Sequence, residues 1–355
     1  MTVLDHGSCR LRVLVIGSFP PPIGGTSVSL ETLTRELKRH DEVAVVTLNT
    51  GGIRGRPVLG FYGLVALFFK IIVYVFRVDV MSVHLSNDPF PFLGPFAVLA
   101  SRLSRTPLIL RRFGGCPFAF GKLRSWLTLW AVRHADAYLL QTRMLMREAQ
   151  SKGLSNLHWY PTSRPRPEFG PNGRALDHKC QRFVFIGHVK REKGIVELIE
   201  AAEYLPEQVS VDVYGPFTGD LSEKDFEGKR RIAYRGILEP EKVCSTLIQY
   251  DALALPTYHF GEGYPGVVIE AFMTGLPVVC TRWQALPEIV DETCGILVPP
   301  HDAIALRDAM LSLVRNEDLF HRLCAGSRDK ANGFCSDFWA GEFVKICREL
   351  VQSRK

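Results

Sequence analysis

Two glutamates, a lysine and a pair of glycines are the residues of this chain whose types and spacing could do chemistry. Glu262 and Glu270 stand eight residues apart in ALALPTYHFGEGYPGVVIEAFMTGLPVV. Lys193 follows the apolar run FVFIG, and Gly24-Gly25 follows RVLVIG. Glycine lets the backbone approach a ligand closely and take a positive φ, and the free N–H groups of a helix that starts there can bind an anion. The set therefore predicts a site for a phosphorylated ligand.

The two carboxylates favour sugar chemistry at that site. A helix starting near Gly266 would place Glu270 about one turn in, where it can bind vicinal hydroxyls, and would leave the N–H groups of Gly266, Val267 and Val268 free for a diphosphate. An anion beside Glu262 is unfavourable unless that glutamate faces a developing positive charge, as at a sugar carbon that loses a diphosphate. The alternative is structural, with Glu262 as a helix cap and Glu270 on the surface.

Short β-branched runs, each followed by a helical stretch, must position these residues. Such alternation predicts parallel strands buried on both faces, and so an α/β protein of two doubly wound, Rossmann-like domains. The Pro- and Gly-rich stretch Tyr160–Lys179 is typical of a linker. We predict domains at residues 1–165 and 166–336, then a terminal segment, 337–355, with an amphipathic helix at Asp337–Val351. The predicted strands are Arg12–Gly17, Val43–Leu48, Val80–Leu85, Leu108–Arg111, Ala137–Gln141, Phe183–Gly187, Val209–Tyr214, Arg231–Arg235, Ala252–Pro256, Val278–Thr281 and Gly295–Val298.

Composition excludes several classes of protein. With 355 residues, 46% apolar and 23% charged, the chain suits a folded protein of about two domains rather than a disordered or disulfide-stapled one. The nine cysteines are scattered and include no CxxC pair, which favours free thiols in a reducing cytosol over a zinc cluster. The polar start MTVLDHGSCRLR does not resemble a signal peptide. We therefore expect a cytoplasmic protein.

Charge is divided unevenly along the chain. Residues 1–170 hold 21 Lys and Arg against 10 Asp and Glu, whereas the remaining residues hold 22 against 27. A basic half attracts anions, although a solvated basic surface is the simpler explanation. The apolar stretch Val58–Phe76, which Lys70 and Arg77 punctuate, could lie on a membrane or bind a lipid-linked sugar. It could equally be a buried helix leading into the third strand.

Taken together, these motifs resemble the family-4 retaining glycosyltransferases of GT-B fold. The resemblance covers most of the chain and rests on PPPIGGTS, on FIGHVKREKG and on GEGYPGVVIEAFMTGLPVVCTRWQALPEIVDETCGILVPPHD. It implies two Rossmann-like domains that face each other across a cleft, with the C-terminal helix crossing back to the first domain. The activity that it implies is transfer of a hexosyl-type sugar, with retention and without a metal or cofactor, from a nucleoside diphosphate to an acceptor hydroxyl.

The resemblance also implies roles for residues at matching positions. Lys193 would hold the diphosphate, Glu262 would lie against the reacting sugar, and Glu270 would bind the ribose. The remaining donor-side candidates are Gly24, Gly25, Gly187, His188, Gly266, Val267 and Val268. Arg112 and His84 are the candidates on the acceptor side.

The chain departs from the family pattern at three places. His188 stands where the family often has Arg, and Phe113 stands in RRFGG where the family often has His, so Arg112 could substitute for that contact. Pro161-Thr162-Ser163 replaces the usual Pro-Asn-Gly. These positions concern the fine geometry of the site rather than the class of enzyme.

The expected function is therefore sugar transfer in the assembly of a cell-surface polysaccharide or a glycolipid. The partners would be a nucleotide-sugar donor, a glycan or lipid-linked acceptor and a membrane surface at the basic N-terminal domain. The chain has no nucleic-acid-binding motif, so we expect no nucleic acid partner. A catalytically silent carbohydrate- or nucleotide-binding protein on the same scaffold is the alternative, and a sugar-nucleotide epimerase is a third.

Overall fold

Two parallel β-sheets of six strands each form the framework of the described chain in a computed structural model. The structure describes residues 10–21, 23–51, 57–86, 90–115, 122–168 and 179–354. The first sheet has the order β2-β1-β3-β4-β5-β6 and the second β12-β11-β10-β7-β8-β9. The strands are β1 Leu11–Gly17, β2 Val43–Asn49, β3 Val80–Leu85, β4 Leu108–Arg112, β5 Ala137–Leu140, β6 Leu157–Trp159, β7 Arg182–Ile186, β8 Ser210–Tyr214, β9 Ile232–Tyr234, β10 Ala252–Leu255, β11 Val278–Thr281 and β12 Gly295–Val298.

Helices follow most of the strands, as parallel crossovers require. The α-helices are α1 Gly25–Leu37, α2 Pro57–Val75, α3 Phe90–Ser104, α4 Lys122–His134, α5 Arg143–Ser151, α6 Ile195–Glu203, α7 Val243–Leu247, α8 Gly266–Thr274, α9 Ala303–Arg315, α10 Glu317–Ala331 and α11 Ser336–Gln352. The 3-10 turns are Arg191–Lys193, Glu223–Phe226, Pro240–Lys242, Leu286–Glu288 and Asn332–Phe334. Among the described residues, no helix has both the length and the apolar character that a membrane crossing needs.

The chain divides into two compact units, each containing one sheet. Unit 1 comprises residues 1–141, 145–160 and 336–355, and unit 2 comprises 142–144 and 161–335. The predicted domain boundaries, after residues 165 and 336, lie close to these divisions. Much of the predicted linker falls at residues 169–178, outside the described residues.

The core of unit 1 has two parts, one on each face of its sheet. One face packs against α2, α3 and α4 through buried side chains such as Ile71, Ala97 and Val132. The other face packs against α1 and α11 through Leu33, Phe343 and their neighbours. Because both faces are covered, the strands can be apolar throughout, as the sequence predicted.

Helix α11 belongs to unit 1 and packs against α1. The Tyr160 hydroxyl donates to the Trp339 carbonyl at 2.7 Å, and Phe343 is fully buried. Phe338, near the start of the helix, is 56% exposed. The neighbouring Trp339 is buried together with Phe343 and Ile346, so these residues form the buried face of the helix.

The seven cysteines of the described residues are free thiols. Cys9 and Cys116 lie outside those residues. Burial raises the pKa of the Cys244 thiol to about 12, which disfavours its thiolate form.

Candidate active site

Lys193 reaches the candidate site because the turn that carries it presses against the neighbouring strand. Strands β7 and β10 are adjacent and parallel in the second sheet. Gly194 ends the 3-10 turn with a φ of 76°, and a Cβ on it would lie 2.1 Å from the Pro256 carbonyl oxygen. Only glycine fits both the backbone conformation and the space. The turn after β7 is thereby held against the carboxyl end of β10.

The Glu262 carboxylate lies directly opposite Lys193. Glu262 Oε2 accepts from Lys193 Nζ and, at 2.8 Å, from the Thr257 hydroxyl. The side chains of Lys193 and Glu262 are 15% and 9% exposed, so the pair is largely removed from water. No donor to Glu262 Oε1 is found in the part of the chain that the structure describes. One carboxylate oxygen is therefore fixed by the protein and the other can face a ligand.

The structural alternative for Glu262 is wrong. Helix α8 has Pro265 at its N-cap and no side-chain capping bond. The Glu262 carboxylate contacts Lys193 and Thr257 rather than the start of the helix. Its burial with a lysine needs another explanation than helix capping.

Two histidines and a second lysine surround this pair. Lys190 Nζ lies 3.3 Å from His259 Nδ1, and Glu192 accepts from Lys190 at 2.7 Å. Partial burial, and then the charges of Lys193 and Lys190, lower the pKa of His188. Burial and the same two lysines also lower the pKa of His259. Both imidazoles are therefore mainly neutral at pH 7, and His188 can offer a hydrogen bond but not the permanent charge of an arginine.

The backbone of Gly187 contacts the end of the neighbouring strand β8. The Gly187 N–H donates to the Tyr214 carbonyl at 3.0 Å. A Cβ on Gly215 would lie 1.8 Å from the Gly187 carbonyl oxygen. The Gly187 N–H is therefore already paired within the second sheet and is not free to bind a donor phosphate.

The first turn of α8 provides two amides for an anion rather than three. The Val268 N–H donates to the Pro265 carbonyl at 3.2 Å, so the prediction that it is unpaired is wrong. This bond joins residues three apart, as in a 3-10 helix, and such bonds are common at the ends of α-helices. The amides of Gly266 and Val267 have no acceptor among the described residues.

Glu270 forms a buried ion pair with an arginine from the interdomain stretch. Arg164 Nε donates to Glu270 Oε1 at 2.6 Å, and the two side chains are 6% and 12% exposed. The alternative that Glu270 is a surface residue is therefore wrong. The Arg164 guanidinium lies beside the start of α8, where the helix dipole is also positive, so the region favours an anion.

The glycine pair Gly24-Gly25 in unit 1 starts a helix but has no positive φ. Gly24 is the N-cap of α1 with an extended φ of −169°, and its N–H donates to Ser27 Oγ at 3.0 Å. The expected positive φ is therefore absent from this pair. A Cβ on Gly25 would meet no described atom within 4 Å, so the packing of the described chain does not require glycine there.

A cavity of about 440 Å3 in unit 1 adjoins this helix start. Polar residues on its wall include Ser18, Ser27, Thr50 and His84, and apolar ones include Leu67, Phe68, Phe92 and Phe113. His84 is 2% exposed and its Nε2 lies 2.8 Å from Ser82 Oγ. Burial and the charge of Arg111 hold its pKa well below the usual value, so this imidazole is neutral.

Arg112 is not among the residues that line this cavity, so the acceptor contact expected for it stays a prediction. Its side chain is fully buried, with 0% exposed, and it hydrogen-bonds Tyr138. Its neighbour Arg111 is 2% exposed and lies between the rings of Phe113 and Tyr160 at 4.5 and 4.4 Å. Both arginines are therefore part of the core and not of a basic surface.

Sequence reasoning missed four residues around the site, namely Arg164, Thr257, Lys190 and His259. Thr257 and His259 follow the end of β10, so their position after a parallel strand was an available signal. Lys190 lies in the charged stretch HVKREKG, where solvated side chains are common, yet its side chain is only 23% exposed. Arg164 had no signal, because nothing in its Pro-rich surroundings indicates a partner 106 residues away.

Comparison with known proteins shows a family to which part of unit 2 is similar. Residues 180–316 match the family of glycosyl transferases group 1. These residues are thus similar to group 1 glycosyl transferases, which agrees with the glycosyltransferase motifs of the sequence. The match includes Lys193, Glu262 and Glu270.

Curated relatives agree with this assignment. The D-inositol 3-phosphate glycosyltransferase of Xylanimonas cellulosilytica is 27% identical over 180 residues, which cover 48% of this chain and 43% of that protein. The sulfoquinovosyl transferase SQD2 of Arabidopsis thaliana is 24% identical over 348 residues, covering 87% of this chain and 66% of SQD2. The chain spans less than half the length of the first curated relatives that it matches.

Solved structures share the fold. HepE of Anabaena, whose crystal structure contains UDP, superimposes with a TM-score of 0.75 at 14% identity, over 96% of this chain and 100% of HepE. Sucrose-phosphate synthase of Thermosynechococcus elongatus gives a TM-score of 0.74 at 15% identity, over 97% of this chain and 100% of that chain. The predicted fold class, a two-domain α/β protein of GT-B type, is therefore confirmed.

Proposed function

We propose that this protein is a retaining glycosyltransferase of family 4 that moves a hexosyl-type sugar from a nucleoside diphosphate to an acceptor hydroxyl. The observation that carries the proposal is the Lys193–Glu262 pair, in which a buried carboxylate keeps one oxygen without a protein donor. A cation for a leaving diphosphate and an anion for a developing oxocarbenium carbon are the two charges that the reaction requires.

The leaving diphosphate would be bound in unit 2. Lys193 supplies a positive charge, and the Gly266 and Val267 amides supply hydrogen-bond donors at the positive end of α8. When a diphosphate arrives, the Lys193 ammonium can exchange part of its contact with Glu262 for a phosphate oxygen. This exchange frees the carboxylate at the moment when the sugar carbon becomes positive.

Glu270 would bind the ribose hydroxyls of the donor nucleotide. Its Oε1 accepts from Arg164, which fixes the orientation of the carboxylate before the donor arrives. A prearranged group loses less side-chain entropy on binding. Arg164 is then a positioning residue whose charge also favours the nearby diphosphate.

Glu262 would lie against the reacting carbon of the transferred sugar. In the proposed step the bond from that carbon to the diphosphate oxygen breaks, and the acceptor oxygen bonds to the same carbon on the same face. The Glu262 carboxylate stabilises the positive charge between these two events, and the departing phosphate can take the acceptor's proton.

The cavity of unit 1 would receive the acceptor. Its wall combines hydroxyl groups with aromatic and aliphatic side chains, which suits a sugar attached to a lipid better than a bare sugar. The neutral His84 can hydrogen-bond an acceptor hydroxyl without adding a charge. The products would be intermediates in the assembly of a surface polysaccharide or a glycolipid, made on the cytoplasmic side of the membrane.

The proposal is tested with a panel of UDP-, GDP- and ADP-sugars, starting with UDP-glucose because it is the ligand in a HepE structure. Donor binding should raise the unfolding temperature, and nucleotide should be released only when an acceptor is present. Glu262→Gln should abolish release while donor affinity changes little. Activity that persists with excess EDTA would agree with a reaction that needs no metal.

Other outcomes favour the other candidates. Donor binding without nucleotide release, with every acceptor class tried, would favour the catalytically silent binding protein. Loss of intact donor without an acceptor would favour an epimerase. Equal losses of binding and turnover in Glu262→Gln would contradict the role given to Glu262.

A further inference from the structure

Exposed apolar side chains are concentrated on three neighbouring helices of unit 1. In the described chain fourteen large apolar side chains are exposed, and eight of them lie on α2, α3 and α4 or directly after α2. Six of these side chains are 59% to 70% exposed: Phe69, Phe92, Leu99, Leu103, Leu123 and Trp126. Such a concentration is unusual for a surface that faces only water.

The three helices form one continuous surface. Phe68 of α2 and Phe96 of α3 stack with ring centroids 4.1 Å apart. The Arg124 guanidinium of α4 lies 5.7 Å from the centre of the Phe92 ring of α3. Their inner sides share one part of the unit 1 core, so the apolar groups on their outer sides are held in place by a packed support. We call this outer side the α2–α4 face.

The charge of the α2–α4 face has a single sign. Helices α2, α3 and α4 contain no Asp or Glu. Their exposed ionised side chains are Lys70, Arg102, Arg124 and Arg133, and exposed Arg77 and Arg105 follow the ends of α2 and α3. Aromatic and aliphatic groups among basic ones are the composition of a surface that lies in the headgroup region of a membrane.

The stretch Val58–Phe76 has a buried side, as the interpretation as a buried helix predicted, and an exposed apolar side. The segment forms a helix that buries Leu67, Ile71 and Val75 but exposes Val65 and Phe69. Arg111, Arg112 and Phe113 follow α3 in the sequence but are buried, so they do not belong to this surface. Leu99 and Leu103 of α3 join the surface instead.

We propose that the α2–α4 face docks on a bilayer that contains anionic lipid. The aromatic and aliphatic groups enter the interface and the lysine and arginines contact lipid phosphates. A second protein or a second copy of this chain would need a complementary acidic surface, and the all-basic face repels its own copy. The inference concerns binding alone and does not depend on sugar transfer.

The test is co-sedimentation of the full chain with vesicles of phosphatidylcholine, with and without phosphatidylglycerol. We expect binding to the mixed vesicles that weakens as salt is raised. Replacing Lys70, Arg102 and Arg124 with Gln should weaken it about a hundredfold, since each basic group near an anionic surface contributes a factor of about five. Equal binding to neutral and anionic vesicles would overturn the proposal.

Variants of the exposed apolar residues distinguish docking through the α2–α4 face from nonspecific hydrophobic binding to vesicles. Phe69→Asn, Leu103→Asn and Trp126→Asn combined should weaken vesicle binding about tenfold or more. The matched control replaces Tyr204, Ile304 and Phe338, which are 70%, 64% and 56% exposed elsewhere, with Asn and should bind like the wild type. Equal loss in both triple variants would contradict docking through this face.

The oligomeric state without lipid shows whether the α2–α4 face binds a bilayer or a second copy of the chain. We expect a monomer in sedimentation equilibrium for the wild type and for both triple variants. Self-association that the face variant alone abolishes, without any vesicle binding, would assign the face to a dimer and overturn the proposal. Unchanged unfolding temperatures would show that the variants are folded.

Discussion

Arg164 occupies the space that a side chain at Gly266 would need. A Cβ built on Gly266 would lie 1.8 Å from Arg164 Nη2, while Arg164 Nε donates to Glu270 at 2.6 Å. Glycine at the start of α8 is thus required by a contact within unit 2, and not only by the approach of a ligand. Arg164 thus contacts both the start of α8 and Glu270, the carboxylate proposed to bind the ribose.

Gly266→Ala should disrupt this arrangement without unfolding unit 2. The clashing group is the end of a flexible side chain, so the arginine can move, but then its bond with Glu270 weakens. We expect a lower unfolding temperature and weaker donor binding, measured by thermal unfolding and titration calorimetry. Gly341→Ala in α11 is the control, because a Cβ there meets no described atom within 4 Å. Gly341→Ala should raise the free energy of unfolding by about 0.5–1 kcal/mol, because alanine favours the helix more than glycine. Equal changes in unfolding temperature and donor affinity for the two substitutions would contradict the argument.

Glu270 has a structural and a proposed binding role, which a double-mutant cycle can separate. Glu270→Gln leaves the Arg164 charge buried without its carboxylate and should lower the free energy of unfolding by about 3 kcal/mol. Adding Arg164→Met removes that charge and should restore much of the stability.

The double variant then tests the ribose role directly. If Glu270 binds the ribose, calorimetry should show that donor affinity stays low although stability has returned. Recovery of donor affinity together with stability would mean that Glu270 only holds Arg164 in place.

The fold was more predictable than the site because it depends on patterns that are local in the sequence. Buried parallel strands such as Val80–Leu85 and Val278–Thr281 are short runs in which apolar residues predominate, and their predicted bounds match the observed ones. Strand β6, Leu157–Trp159, was missed because it has three half-buried residues and no β-branched one. Its assignment depends on pairing with β5, which no local pattern shows.

The site was predictable only where it follows strand ends. Lys193 and Glu262 come after β7 and β10, and a doubly wound sheet collects such residues at one edge. The contact between them needs these two strands to be neighbours, although two strands separate them in the chain. Arg164 and the bond from Val268 to Pro265 depend on how loops pack, so the spacing of residues could not reveal them.

Lys193→Met should reduce turnover far more than donor affinity. The substitution keeps an unbranched side chain of similar length but removes the charge that would stabilise the departing diphosphate. We expect kcat to fall by a factor of about 100–1,000, equivalent to about 2.7–4 kcal/mol. The control is Arg191→Met in the same 3-10 turn, because Arg191 is 56% exposed and pairs with Asp220. Similar kinetic losses in both variants would show that the turn, rather than the Lys193 charge, is what matters.

The stability of unit 1 should fall in mild acid because of His84. Burial and the charge of Arg111 hold the pKa of His84 well below its usual value, whereas the unfolded chain takes up the proton near pH 6.5. The unfolded state thus binds more protons in acid, and the free energy of unfolding should decline as the pH falls below about 6.5. Urea unfolding can be followed by tryptophan fluorescence, since four of the five tryptophans lie in unit 1.

The slope with pH, rather than the stability itself, identifies His84 as the cause. His84→Gln should flatten the decline between pH 7 and pH 5, leaving the part due to His158, the other histidine of unit 1 whose pKa is lowered. Ser82→Ala removes the partner of Nε2 but keeps the buried imidazole. It should therefore lower the stability at every pH and retain the slope. A wild-type slope in His84→Gln would mean that acid destabilises unit 1 through other groups.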